Sequence, residues 1–172
     1  MTAPAAPAPA PSLRRRMAAF VYEGVLLFGV LTLAALAYGL LTEQRHALVG
    51  LHGLQAFLFL VLGLYFTWFW SHGGQTVAMK TWHLRLVSKD GQPIGKARAW
   101  LRYGLSWLWF MPALAGVYLA GLRSGGAVTL ALLAGVVVYA LLSRFNARRQ
   151  FLHDLISRTE LVYWPTVKRA PK

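Results

Sequence analysis

Four long apolar runs, separated by polar connections, dominate the sequence. The first run covers residues 17–41 and contains a single formally charged residue, Glu23. The other three runs cover residues 47–70, 103–121 and 127–142. Because a helix needs about 20 predominantly apolar residues to cross the hydrocarbon core of a bilayer, this pattern predicts an all-α transmembrane fold, a four-helix membrane bundle.

The connections carry shorter patterns that predict structure outside the hydrocarbon core. Residues 82–87 alternate apolar and polar positions, and residues 159–164 also resemble a short strand. An isolated strand would leave its backbone groups unpaired, so we expect the two to form a small cytoplasmic β-sheet. The spacing of apolar positions in residues 97–109 and 147–157 predicts interfacial amphipathic helices. Pro112 predicts a kink in the third spanning helix.

The two ends of the chain differ in composition from its middle. Residues 1–12 form a Pro/Ala tail with too few bulky side chains to pack, which predicts disorder. We assign residues 13–164 to one membrane domain and residues 165–172 to a basic C-terminal tail. The Ala-Leu-Ala triplet at residues 35–37 resembles a signal-peptide cleavage site. However, the apolar run continues past it to Leu41, which favours a spanning helix over a cleaved leader.

The overall composition excludes several classes of protein. Hydrophobic residues make up 57% of the chain, charged residues make up 13%, and the mean hydropathy is +0.48, a balance too apolar for a soluble domain. Cysteine is absent, which excludes disulfides and thiol catalysis. The serines and threonines show no nucleophile motif, and the acidic residues are scattered. We therefore predict no enzyme activity, no catalytic residue and no cofactor. The histidines show no ligand pair at helical spacing, so we predict no metal site.

The distribution of basic residues predicts the orientation in the membrane. The formal net charge is +13, with 18 lysines and arginines. Only Arg45 and Arg123 lie in the connections that follow the first and third runs; all other cations lie in the N-terminal, middle and C-terminal connections. By the positive-inside rule, both termini and the middle connection are cytoplasmic. Because the cations lie between apolar runs, we predict the lipid bilayer as the partner rather than nucleic acid.

Three segments together resemble the RDD family of small bacterial membrane proteins, over roughly residues 13–164. They read RRRMAAFVYEG, GGQTVAMKTWHLRLVSKDGQPIGKARAWLRY and QFLHDLISRTELVY. The resemblance implies that Arg16 corresponds to the family arginine and Asp154 to the last family aspartate. Glu23 stands where the family has its first aspartate, which keeps the charge and lengthens the side chain by one methylene. Ala78 replaces a glycine that is usual in the family.

The resemblance also implies a location and a range of functions. It places the protein in the bacterial inner (cytoplasmic) membrane as a multi-pass protein. Most members have no assigned function, and the proposals concern transport of ions or small solutes.

The sequence allows two interpretations of Glu23, one functional and one structural. Seven residues separate it from Arg16, so the two lie on nearly the same face of a helix, about 10 Å apart along its axis. In the functional reading, Glu23 is a carboxylate that exchanges a proton or cation from the cytoplasmic side. In the structural reading, it is a buried group that holds the first helix against another through Arg102, His52 or Gln55.

The remaining candidate residues are structural or contact lipid. Asp154 forms either an exposed pair with Arg158 or, as the resemblance implies, a buried pair with Arg16 or Arg102 that holds the C-terminal segment in place. His52 and Gln55, three residues apart, are candidates for interhelical hydrogen bonds. We expect the basic interfacial residues to meet anionic lipid head groups, among them Lys96 and Arg98.

Two classes of function remain open from the sequence. The first is a transporter or transport accessory for a proton, cation or small solute, with Glu23 as its acid. The second is a non-transporting module that assembles or stabilises a larger membrane complex. The small residues Ala127, Ala131 and Gly135 recur every four positions and predict close helix packing. That packing is either internal or between subunits of a homo-oligomer or larger complex.

Overall fold

The structure is a computed structural model that describes residues 10–42 and 50–165. Most of the expected Pro/Ala tail and nearly all of the basic C-terminal tail therefore lie outside the described residues. Within them the chain is mostly helical, with one small sheet. Helices and strands follow in the order α1 (Leu13–Leu41), α2 (Leu51–His72), α3 (Val77–Thr81), β1 (Leu84–Ser88), α4 (Lys96–Ser106), α5 (Met111–Leu119), α6 (Gly125–Leu142), α7 (Leu152–Ile156) and β2 (Thr159–Tyr163).

Three helices are long and apolar enough to cross a membrane. Helix α1 covers Leu13–Leu41, and its 29 residues rise about 43 Å at 1.5 Å per residue. Its N-cap is Ser12, whose Oγ accepts a hydrogen bond from the backbone N–H of Arg15. Helix α2 covers Leu51–His72. Helix α6 covers Gly125–Leu142 and continues as a single 3₁₀ turn.

The third apolar run does not form one long helix, which corrects the expected four-helix bundle to three candidate spans. Helix α4 covers Lys96–Ser106, a 3₁₀ turn follows at Trp107–Trp109, and helix α5 covers Met111–Leu119. With nine residues, α5 rises only about 13 Å. Pro112 lies in its first turn, where a missing N–H costs nothing. The proline therefore begins a helix here instead of kinking one.

Helix α4 is amphipathic, as the sequence predicts, and packs on α2. Tyr103 is buried, and its hydroxyl donates to the backbone carbonyl of Phe59 at 2.8 Å. The ring of Trp100 lies so close to Gly63 that a Cβ on this glycine would overlap it. Glycine at position 63 therefore allows α4 to approach the backbone of α2.

Helices α5 and α6 also approach closely. A Cβ on Gly135 would lie 2.7 Å from the Cβ of Ala113 in α5. The small residue at position 135 therefore serves packing within the protein, one of the two uses that the sequence left open.

The two expected strands form the sheet. Strand β1 covers Leu84–Ser88 and pairs antiparallel with β2, Thr159–Tyr163, with Leu84 opposite Tyr163 and Ser88 opposite Thr159. Just before β2, the expected amphipathic helix of residues 147–157 is reduced to α7, Leu152–Ile156. The chain at Phe151 is still extended before α7 begins, so the helical pattern upstream of it does not fold as helix.

The sheet lies at one end of the bundle, which we call the sheet end. Here the guanidinium of Arg15, near the start of α1, lies 4.3 Å from the ring centre of Tyr163 in β2. Gly74, just after α2, accepts a hydrogen bond from the backbone N–H of Leu86 at 2.7 Å. Arg16 donates to the hydroxyl of Ser143 at the end of α6. The start of α1 and the ends of α2 and α6 therefore meet at the sheet end.

Candidate functional site

A cavity of about 360 Å³ lies between α1, α2, α4 and residues 151–161 near the C-terminus, and we call it the sheet-end cavity. Its wall is mostly aromatic and aliphatic. Its lining includes four acidic, basic or imidazole side chains: Arg16, Glu23, Arg102 and His153. Three of the four candidates for buried charge thus line one space, while the fourth, Asp154, contacts it through Arg102.

Glu23 is held by two hydroxyl groups and not by a cation. It is only 9% exposed. Its Oε1 accepts a hydrogen bond from the hydroxyl of Tyr65 in α2 at 2.7 Å, and its Oε2 accepts one from Thr76. Thr76 also accepts from the backbone N–H of Met79 and so begins the short helix α3, Val77–Thr81. Helix α3 packs against α1, which brings this hydroxyl to the carboxylate.

These contacts differ from the partners that the sequence suggested for Glu23. Arg102, His52 and Gln55 were expected, and none of them hydrogen-bonds to it. Among residues 10–42 and 50–165, no basic side chain lies within ion-pair distance of the Glu23 carboxylate. The described hydrogen-bond donors to the Glu23 carboxylate are therefore both neutral hydroxyls. Its other lone pairs accept no hydrogen bond from the described residues.

Arg16 lies in the first turns of α1 and is 4% exposed. Its Nη2 donates to Ser143 Oγ at 3.4 Å, and the guanidinium carbon lies 4.3 Å from the ring centre of Phe151. Its Nε and Nη1 have no hydrogen-bond partner in the described part of the chain. Arg16 and Glu23 thus face one cavity without pairing with each other.

Asp154 and Arg102 form the buried ion pair of the protein's sheet end. Asp154 is fully buried, and its Oδ1 accepts a hydrogen bond from Arg102 Nε at 2.8 Å and lies 2.8 Å from Arg102 Nη2. The Arg102 guanidinium also lies 4.2 Å from the ring centre of Trp70. Of the two sequence readings for Asp154, the structure has the buried pair. Arg158 is exposed and is not its partner.

His153 is neutral in this arrangement. Its Nε2 lies 3.2 Å from Arg102 Nη2, and because arginine only donates, Nε2 must accept. Nδ1 then carries the proton and donates to the hydroxyl of Tyr139 at 2.9 Å. The pKa of His153 is lowered to about 4, mainly by burial. Asp154 opposes this shift, whereas Arg102 and Arg16 add to it. The 3.5 Å approach of Nε2 to Asp154 is therefore no ion pair near neutral pH.

A model of the RDD family matches residues 10–158. The chain belongs to the RDD family. No curated protein and no solved structure gave a match. In this RDD protein, the positions that the resemblance singled out, Arg16, Glu23 and Asp154, all lie in or beside the sheet-end cavity.

Other sequence candidates lie away from the cavity. His52 and Gln55 are both exposed and hydrogen-bond to each other at 3.3 Å on one face of α2, so the expected interhelical role is not what the structure has. Lys96 is exposed and Arg98 half-buried in the first turns of α4. Their contact with lipid head groups stays a prediction. Across residues 10–42 and 50–165, no cluster of three or more metal-ligating side chains occurs.

Sequence reasoning missed four polar residues of this RDD site. Tyr65 looks like part of an interfacial aromatic belt, and Thr76 looks like a turn residue after Gly73 and Gly74. Ser143 and Tyr139 sit at the end of an apolar run without a motif around them. A hydroxyl gives no signal in a hydropathy pattern, so only the three-dimensional approach of the helices reveals which hydroxyls meet Glu23, Arg16 and His153.

Proposed function

We propose that this RDD protein transports a proton, a cation or a small solute across the membrane, with Glu23 as the exchanging carboxylate. The observation that carries the proposal is the environment of Glu23. It lines the sheet-end cavity, and its described partners are two neutral hydroxyls. A carboxylate within an apolar bundle is costly unless something compensates its charge. A proton or cation arriving through the cavity supplies that compensation and can leave again.

The proposal includes an orientation in which both ends of the chain are cytoplasmic. Strands β1 and β2 pair directly, so residues 84–88 and 159–163 must share one side. Helix α6 ends at this sheet end, next to Arg16. The chain between β1 and α6 therefore has to reach the far end first, and we propose that residues 96–124 cross as the α4–α5 segment despite its break. The basic residues of the middle connection favour assigning this side to the cytoplasm of a bacterium.

Cysteine labelling tests the orientation. The natural chain has no cysteine, so single substitutions suffice. Ala10→Cys and Pro165→Cys should react with an impermeant maleimide only from the cytoplasmic side, and Arg123→Cys only from the opposite side. Labelling of positions 10 and 165 from different sides would contradict the paired-end orientation.

Flux measurements test the role of Glu23. The purified protein in proteoliposomes with an internal pH dye should dissipate an imposed proton gradient or respond to added cations. Glu23→Gln should abolish this response while inserting normally, because the amide keeps the shape and loses the charge. Glu160→Gln is the matched control, since Glu160 lies in β2 and pairs with Arg148 outside the cavity.

The outcomes separate the two classes of function. Equal flux through wild type and Glu23→Gln would remove Glu23 from the transport step. Absence of any flux, together with co-purification of a stable partner from native membranes, would favour the alternative of a module that assembles a larger membrane complex.

A further inference from the structure

Several side chains that line the sheet-end cavity carry hydrogen-bond donors without a partner among the described residues. The unpartnered atoms are Arg16 Nε and Nη1, Trp70 Nε1 and Trp107 Nε1. All three residues line the cavity. Buried donors without partners are rare in folded proteins and costly. Four unpartnered donor atoms thus belong to the wall of one space, against one described unpartnered acceptor beside it, Asp154 Oδ2. This excess of donors points to an occupant that accepts hydrogen bonds.

Arg16 is the charged member of this group and is held in place. Ser143 accepts from Nη2, and the ring of Phe151 lies beneath the guanidinium. Those contacts leave Nε and Nη1, with three of the five guanidinium N–H donors, free of described partners. A guanidinium fixed in this way is well suited to bind carboxylate or phosphate oxygens.

The described carboxylates near Arg16 are engaged elsewhere. Asp154 pairs with Arg102 through Oδ1, and Glu23 accepts from Tyr65 and Thr76. Among the described residues, no ion pair joins Arg16 to a carboxylate. Asp154 attracts Arg16 only at longer range, and burying a cation without a directly paired counter-ion is costly. An anion in the cavity supplies that direct partner.

The rest of the wall sets the shape of the occupant. Phe20 stacks on Trp109 with ring centres 4.8 Å apart, and Phe66 stacks on Trp70 at the same distance. These aromatic side chains and Leu62 line the cavity. A volume of about 360 Å³ lies at the lower end of the range for small-molecule sites. It therefore fits a compact apolar body attached to the anionic group.

We propose that the sheet-end cavity binds an amphipathic anion, with its carboxylate or phosphate head on Arg16 and its apolar body along the aromatic wall. This inference goes beyond the transport proposal and does not depend on it, because binding can be measured without flux. The same chemistry can come from a membrane lipid or from a soluble amphiphile, and the experiment distinguishes the two sources.

Calorimetric titration of the full-length protein in an uncharged detergent tests the head and the body separately. Octyl phosphate should bind, whereas octanol, which lacks the charge, and inorganic phosphate, which lacks the apolar body, should bind at least tenfold more weakly. Native mass spectrometry after exposure to phosphatidylglycerol or phosphatidylcholine gives the other source. Retention of phosphatidylglycerol that octyl phosphate displaces indicates a lipid, and octyl phosphate binding without lipid retention indicates a soluble amphiphile.

Variants connect the binding to the residues. Arg16→Gln should weaken octyl phosphate at least tenfold, since charge-assisted hydrogen bonds are lost. The neighbouring Arg15→Gln is the matched control and should stay within twofold, because Arg15 packs over Tyr163 outside the cavity. Trp107→Phe keeps the ring and removes the N–H, and should weaken binding about fivefold. If Arg16→Gln fails to fold, the affinity of Trp107→Phe for octyl phosphate tests the anion site instead.

The transport and binding proposals fail in different ways. Loss of flux in Glu23→Gln with octyl phosphate still bound by wild type concerns the transport proposal, whereas loss of octyl phosphate affinity in Arg16→Gln concerns the anion site. Equal binding of octyl phosphate and octanol, or equal affinity of wild type, Arg16→Gln and Trp107→Phe, would overturn the anion site.

Discussion

Truncation of Asp154 should be among the most damaging single changes in the chain. In Asp154→Ala, Arg102 keeps its position, 6% exposed, but loses the oxygen that both Nε and Nη2 contact at 2.8 Å. Removing one partner of a buried ion pair typically costs about 3–5 kcal/mol, because the remaining charge stays buried without compensation. We expect a loss of this size, together with a lower yield of folded protein in membranes.

Two further variants show whether the missing counter-ion is the cause. Glu160→Ala removes a carboxylate from the other arginine pair of this end, in which the Arg148 side chain is 58% exposed, and should cost at most about 1 kcal/mol. The double variant Arg102→Met with Asp154→Leu removes both charges and keeps an apolar contact with Trp70. It should be more stable than Asp154→Ala alone, since a well-packed apolar pair commonly replaces a buried ion pair without loss.

The assay is unfolding in mixed micelles with increasing dodecyl sulfate, followed by tryptophan fluorescence. The seven tryptophans, of which Trp70 lies against Arg102, give a strong signal. Yield is measured by size-exclusion chromatography of membrane extracts. The reasoning fails if Asp154→Ala unfolds within about 0.5 kcal/mol of wild type, a difference typical of surface substitutions, and is extracted in equal amounts.

Further predictions concern the histidine, the helix contacts and the α4 approach. Because the folded pKa of His153, about 4, lies below its unfolded value near 6.5, the unfolded chain binds the proton first. Stability should therefore fall by about 3 kcal/mol as pH drops from about 6.5 to about 4, and His153→Gln should flatten an unfolding series measured across this window. Gly135→Ala forces a Cβ to within 2.7 Å of Ala113 and should cost about 1–3 kcal/mol in the same unfolding assay, whereas Gly29→Ala, with open space around it, should be neutral. Gly63→Ala should be as costly as Gly135→Ala and should expose Trp100 to a collisional quencher; unchanged quenching would contradict the close approach of α4.

Much of the fold follows from the sequence because hydropathy and alternation are local signals. The apolar runs predict α1, α2 and α6, and the alternation in residues 82–87 predicts β1. The break in the third run is not local. Trp109 is buried between Phe20, with ring centres 4.8 Å apart, and Phe151, at 5.0 Å. Partners from distant parts of the chain thus favour a turn where the apolar pattern alone reads as a continuous helix.

The candidate site divides in the same way. Charged residues inside or beside apolar runs attract notice, so Arg16, Glu23, Arg102 and Asp154 could be named from the sequence and the family resemblance. Their partners could not be assigned. The sequence suggested Arg102, His52 or Gln55 as partners of Glu23. The structure instead gives Glu23 two hydroxyls and gives Arg16 an aromatic ring. Which side chains meet depends on how the helices cross and on where α3 packs. Neither can be predicted from the spacing of residues along the sequence.

The segment that closes the sheet end is also the last part of the domain to leave the ribosome. Residues 150–163 supply the strand for β1, the carboxylate for Arg102 and the ring under Arg16. Until that segment emerges, the earlier helices carry two arginines without their later contacts and a strand without its neighbour. Assembly of the sheet end is therefore a post-insertional step, and nascent chains that stop before residue 150 should be substrates for membrane proteases.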